Sequence, residues 1–114
     1  MPVPLYQKKA EFLRTLGHPA RIRILELLSE RDHAVHELLE QIAIEPSNLS
    51  QQLAVLRRTG LVVSHRTDGA VVYSISTADI RDLLLAARRI ITNLATSQTE
   101  FESELTRASA SSSS

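Results

Sequence analysis

Residues Ile44-Glu45-Pro46-Ser47-Asn48-Leu49-Ser50-Gln51-Gln52-Leu53-Ala54-Val55-Leu56-Arg57-Arg58-Thr59-Gly60 decide the fold. Pro46 and Ser47 open a helix, since proline suits a first helical turn and lacks only an N–H that the turn leaves unpaired. Leu49, Leu53 and Leu56 recur at helical spacing, and Gly60 stops the run. Just upstream, Val35, Leu38, Leu39, Ile42 and Ala43 form another apolar stripe at i, i+3, i+4, i+7 and i+8. Only Ile44, Glu45 and Pro46 separate that stripe from the next helix, a tight helix-turn-helix connection.

Downstream of Gly60 the period changes. Leu61 to Arg66 and Ala70 to Ser76 are rich in Val, Tyr and Ile, and Asp68-Gly69 lies between them. An Asp-Gly pair flanked by β-branched runs predicts a two-stranded hairpin. Upstream, Leu5, Phe12, Leu13 and Leu16 predict a first helix that Gly17 ends. Pro19 opens a second helix carrying Ile22, Ile24, Leu25, Leu27 and Leu28, closed by the polar run Ser29 to Asp32. A last helix begins after Ser76-Thr77 and carries Ile80, Leu83, Leu84, Ala87, Ile91 and Leu94, widened by Leu85 and Ile90 and extended by Phe101 and Leu105. The fold class is therefore mainly α (α+β): a winged helix-turn-helix of five helices with a two-stranded wing before the last. One domain is expected over residues 1–107, followed by a disordered Ser-rich tail at 108–114.

Composition narrows the function. The chain has 114 residues, 43% hydrophobic and 23% charged, an ordinary balance for one small domain. Zero cysteines exclude disulfides, thiolate metal sites and a thiol nucleophile. Three glycines leave no glycine-rich phosphate loop. No run approaches the roughly 18 apolar residues of a membrane span, so a soluble, cytoplasmic chain without membrane partners is expected. No Ser-His-Asp or paired-carboxylate arrangement stands out, and so small a helical core leaves little room for a pocket, which argues against an enzyme.

Thirteen basic and thirteen acidic residues give a formal net charge of zero, so binding to nucleic acid must be argued from placement. From Pro46 to Thr77 there are Arg57, Arg58 and Arg66 against Asp68 alone. The helix after the tight turn is the recognition helix of such a fold, and its N-terminal residues meet base edges in the major groove. Its outward positions are read as Ser47, Asn48, Ser50, Gln51 and Gln52, all hydrogen-bonding and none acidic. Arg57, Arg58 and Arg66, with His65 on the first wing strand, are the expected phosphate contacts. The apolar surface of the last helix exceeds what one small core needs, so a partner helix is its natural cover.

Four segments in order resemble the ArsR/SmtB family of dimeric bacterial transcription repressors. They are Leu16-Gly17-His18-Pro19-Ala20-Arg21-Ile22-Arg23-Ile24-Leu25, Ser47 to Leu53, Leu56-Arg57-Arg58-Thr59-Gly60-Leu61-Val62, and the wing Arg66-Thr67-Asp68-Gly69 with Tyr73-Ser74-Ile75. Gln52 departs from the histidine of many members. The resemblance implies a homodimer built from the first and last helices that presents two recognition helices to an inverted-repeat DNA operator. The interface residues on that view are Leu5, Phe12, Leu83, Leu84, Ala87, Ile91 and Leu94. Many members sense metals. One family site falls here on Ala34 and His36, without cysteine, and another on Asp79, Arg81, Thr92 and Ala95, where one ligand of four survives. No metal or other cofactor is therefore expected, and the inducer stays open. Asp32, His33 and His36 are what is left of a metal case, but three donors at a helix start are not a complete site. His18, just before Pro19, reads as structural. Two alternatives remain: a protein-interaction module docking through the last helix, and a metal-responsive repressor with a non-standard His/Asp site.

Overall fold

In the computed structural model, which describes residues 2–112, helix α1 (Leu5–Leu16) ends at Gly17. The Gly17 N–H donates to the carbonyls of Leu13 (2.9 Å) and Arg14 (3.2 Å), a tightened last turn. His18 then caps α2 (Pro19–Glu30). Its Nδ1 accepts the Ala20 N–H at 3.2 Å, and Pro19 fills the first helical position. The structural role expected for His18 is thus an N-cap.

After α2 the chain makes a two-residue strand, β1 (His33–Ala34), and enters α3 (Val35–Gln41). Helix α4 (Pro46–Arg58) follows, then β2 (Val62–Thr67), β3 (Ala70–Ile75) and α5 (Asp79–Ser112). The strands form one antiparallel sheet in the order β1-β3-β2. His33 pairs with Tyr73 and Ala34 with Val72, so the wing is the outer part of a three-stranded sheet rather than a free hairpin. In the β2–β3 register Thr67 faces Ala70, leaving Asp68 and Gly69 as a two-residue turn. Both have positive φ (51° and 80°), as a type I′ turn demands.

The turn from α4 into β2 is a Schellman motif. Gly60, at φ 79°, donates its N–H to the Arg57 carbonyl (3.0 Å), and the Leu61 N–H reaches the Leu56 carbonyl (2.9 Å). The Ser76 N–H donates to the Leu61 carbonyl at 3.0 Å, which closes the base of the hairpin onto the end of α4. The recognition helix and the wing are therefore joined by backbone hydrogen bonds as well as by chain.

The core lies under α4. Ile24, Leu25 and Leu28 of α2, Leu38 of α3, Leu49, Leu53 and Leu56 of α4, and Val62 of β2 are almost fully buried. Each such side chain contributes about 1.5–3 kcal/mol on removal from water. Leu38 is the buried residue of α3, and the helix ends at Gln41, before the Ile42 and Ala43 that extend its sequence stripe.

Glu37 holds the start of α3. Its Oε1 accepts the Ala34 N–H (2.9 Å), while Oε2 pairs with the Arg31 guanidinium (2.8 Å). The Ala34 hydrogen bond first, and Arg31 second, hold its carboxyl below the ordinary carboxylate range. A depressed folded-state pKa adds stability above the unfolded pKa and loses it as pH falls through the folded one. Urea midpoints of wild type and Glu37→Gln should therefore be furthest apart near neutral pH and converge in acid. A gap that stays constant across that range would refute the assignment.

The structure forms two compact units, Met1–Arg81 and Asp82–Ser114. From Asp82 onward, α5 makes up the second unit. Helix α5 also continues to Ser112, so residues 108–112 are helical where a disordered tail is expected from composition. Ala and Ser cost a continuing helix little, and each added residue gains an i→i−4 hydrogen bond. The remaining tail positions, 113 and 114, lie outside the described residues. On α5 the hydroxyls of Thr96, Thr99 and Thr106 donate to the carbonyls of Thr92, Ala95 and Glu102, at 3.0, 2.9 and 3.0 Å. Among the described residues no helix is long and apolar enough to cross a membrane.

Candidate nucleic-acid interface

Helix α4 buries Leu49, Leu53 and Leu56 and turns Ser47, Asn48, Ser50 and Gln51 to solvent. Arg57 and Arg58, in its last turn, are exposed, as are His65 and Arg66 on β2. No carboxylate occurs between Pro46 and Arg58. Its N-terminal end carries the positive pole of the helix dipole, and the cations sit where the dipole favours them, at the C-terminal end.

Gln52 corrects the reading of the outward face. It is 8% exposed, and both ends of its amide are engaged. Its Oε1 accepts from Nε of Arg21 (2.8 Å), and its Nε2 donates to Oδ1 of Asn48 (3.0 Å). Arg21, which also donates to the Thr15 carbonyl (3.2 Å), escapes a reading of the sequence. Gln52 sits at the i+3 position of the stripe Leu49, Gln52, Leu53, Leu56, so its spacing signals burial while its polarity signals the opposite. Arg21, 31 positions away, leaves no local signal.

The positions that resemble family metal sites have other partners here. Ala34 is the N-cap of α3, and His36 is exposed. His33 is 2% exposed in β1, where its Nδ1–H donates to the Arg31 carbonyl at 2.9 Å. Asp32 lies toward the wing, with Oδ2 at 3.9 Å from Nε2 of His65. The Asp79 carboxylate accepts from the Thr77 hydroxyl (3.2 Å), and Nε of Arg81 donates to the Ser29 carbonyl near the end of α2 (2.7 Å). Thr92 and Ala95 are exposed on α5. Among the described residues, no three His, Asp or Glu side chains gather as a metal site.

Of the dimer candidates, Leu5, Ile91 and Leu94 are about two-thirds exposed (66%, 66% and 64%), and Phe12, Leu83, Leu84 and Ala87 are half-buried.

A helix pair joined by a short turn, with the second helix packing a leucine stripe into the core and an antiparallel hairpin following it, is the winged helix-turn-helix of transcriptional regulators. Residues 18–64 match the family described as "Bacterial regulatory protein, arsR family". An uncharacterized HTH-type transcriptional regulator of Mycobacterium tuberculosis is 58% identical over 89 residues, covering 77% of this chain and 78% of the relative. The crystal structure of Rv0081 from the same species superposes with a TM-score of 0.78 at 52% identity, covering 86% of this chain and 99% of that one. The transcriptional repressor BigR from Xylella fastidiosa superposes with a TM-score of 0.67 at 35% identity, covering 78% and 88%. The chain belongs to the ArsR family of bacterial transcriptional regulators.

Proposed function

We propose that this regulator is a homodimeric repressor that binds an inverted-repeat operator in double-stranded DNA through α4 and the β2–β3 wing. The observation that carries the reading is the division of α4: a leucine stripe locked into the core, an acid-free outer side of Ser47, Asn48, Ser50 and Gln51, and exposed Arg57 and Arg58 at its end. Hydroxyls and amides read base edges, and guanidinium groups neutralise phosphates. His65 and Arg66 extend the contact along the backbone from the wing. The repressor role is supported by a relative of that kind, the biofilm growth-associated repressor of Xylella fastidiosa. Pairing of two copies is supported by the exposed apolar side chains of α1 and α5. Two recognition helices about 34 Å apart enter successive major grooves on one face of a duplex.

Selection of bound duplexes from a random pool, followed by titration at several salt concentrations, tests this. One inverted repeat should be enriched, bound at least ~10³-fold more tightly than random duplex. The log–log salt slope should be several units. Equal, weak affinity for selected and random duplex would sink the reading.

A further inference from the structure

The Arg21–Gln52–Asn48 chain has a direction set by chemistry. A guanidinium has donors and no acceptor, so the amide atom facing Nε of Arg21 must be the oxygen of Gln52. The NH₂ of Gln52 is thereby turned to Asn48, which must answer with its own oxygen. That oxygen points along the helix toward a buried partner, leaving the Nδ2–H₂ of exposed Asn48 as its free end. A freely rotating asparagine can match adenine by donating to N7 and accepting from N6. Here one of the two lone pairs of that oxygen is engaged by Gln52 and the oxygen is held against its own helix, so the NH₂ is the end turned to solvent.

We propose that Asn48 is a specificity-determining donor. Arg21 and Gln52 act as positioning residues that hold its amide NH₂ outward, so that it selects guanine, whose N7 and O6 are adjacent acceptors, over adenine. The proposal rests on the DNA-binding reading of α4 above. It reverses the adenine preference that an unconstrained asparagine brings. Arg21 is half-buried and takes no part in the exposed surface of α4; it acts only through Gln52.

The test has two arms. In the DNA-free protein, ¹⁵N relaxation of the Asn48 side-chain NH₂ should report a rigid group in wild type. It should report a mobile one in Gln52→Leu, whose side chain offers Asn48 neither a donor nor an acceptor. A mobile wild-type Asn48 would overturn the clamp whatever the protein binds. In the second arm, affinities are measured for the selected operator with each base pair substituted in turn, for wild type and Asn48→Ala. The position whose preference Asn48→Ala erases should favour guanine over adenine by roughly tenfold in wild type. Arg21→Lys, still a pure donor, should keep that preference, and Arg21→Gln, which lets the Gln52 amide turn, should lose it. A merely structural arginine would lower affinity in both without changing the favoured base. Adenine preferred at that position, or no position affected by Asn48→Ala, overturns the proposal and leaves the DNA-binding reading intact. Failure to enrich any operator overturns both.

Discussion

With Arg57, Arg58 and Arg66 all changed to alanine, affinity for the operator should fall on the order of 10³-fold at physiological salt, and affinity for random duplex should fall with it. The three side chains are exposed, so their removal leaves the core under α4 intact. Loss of Arg57 and Arg58 from the last turn of α4 costs about 0.3–1 kcal/mol each of helix-dipole stabilisation, too little to unfold a domain. The diagnostic quantity is the salt slope. Each phosphate that is no longer neutralised lowers it by about 0.9 unit, so loss of these groups from both copies lowers it by up to ~5 units. Titrations from low to moderate salt would show this directly. A triple variant whose slope matches wild type would place the DNA-binding surface elsewhere. Base preference should survive, because guanidinium groups on phosphate position the protein without carrying sequence information.

The double change Ile91→Glu and Leu94→Glu should yield single chains in sedimentation and cost on the order of 10²–10⁴-fold in operator affinity. The second half-site then no longer binds as an intramolecular event. Leu84, Ala87, Ile91 and Leu94 follow steps of three, four and three residues, the spacing of a coiled-coil seam. A carboxylate buried in such a seam is unpaired and costly, whereas on an exposed helix it costs little. Ile91 and Leu94 are exposed in the isolated chain, so the first 81 residues should stay folded, with a native far-UV circular dichroism spectrum. A double variant that still sediments as wild type, with undiminished affinity, would remove α5 from the interface.

Most of the fold is legible in the sequence because its signals are local. Gly17, Pro19, Pro46 and Gly60 punctuate the helices, and Asp68-Gly69 at the tip of two β-branched runs specifies a turn with two positive φ values. What escapes is what depends on distant parts of the chain. β1 has two residues, too few to show a period, and exists because β3 offers an edge to His33 and Ala34. α3 ends at Gln41 although the apolar spacing runs on through Ile42 and Ala43, since apolar spacing reports burial and not hydrogen bonding. The candidate site is legible in its exposed residues and misleading at Gln52. Polarity suggests exposure there, yet an amide with a partner for each end can be buried without penalty. That partner, Arg21, lies on another helix, and a single sequence does not show which side chains meet across such a gap.

The threonines of α5 have a bearing on how that helix can be dehydrated. The hydroxyls of Thr96, Thr99 and Thr106 already give their protons to carbonyls of their own helix. Stripping water from them leaves no donor stranded, so these polar residues can line a tightly packed seam almost as alanine or valine would. The helix meets the hydrogen-bonding needs of these three hydroxyls itself, so the strip that carries them can pass from wet to dry at the expense of little more than a slight bend.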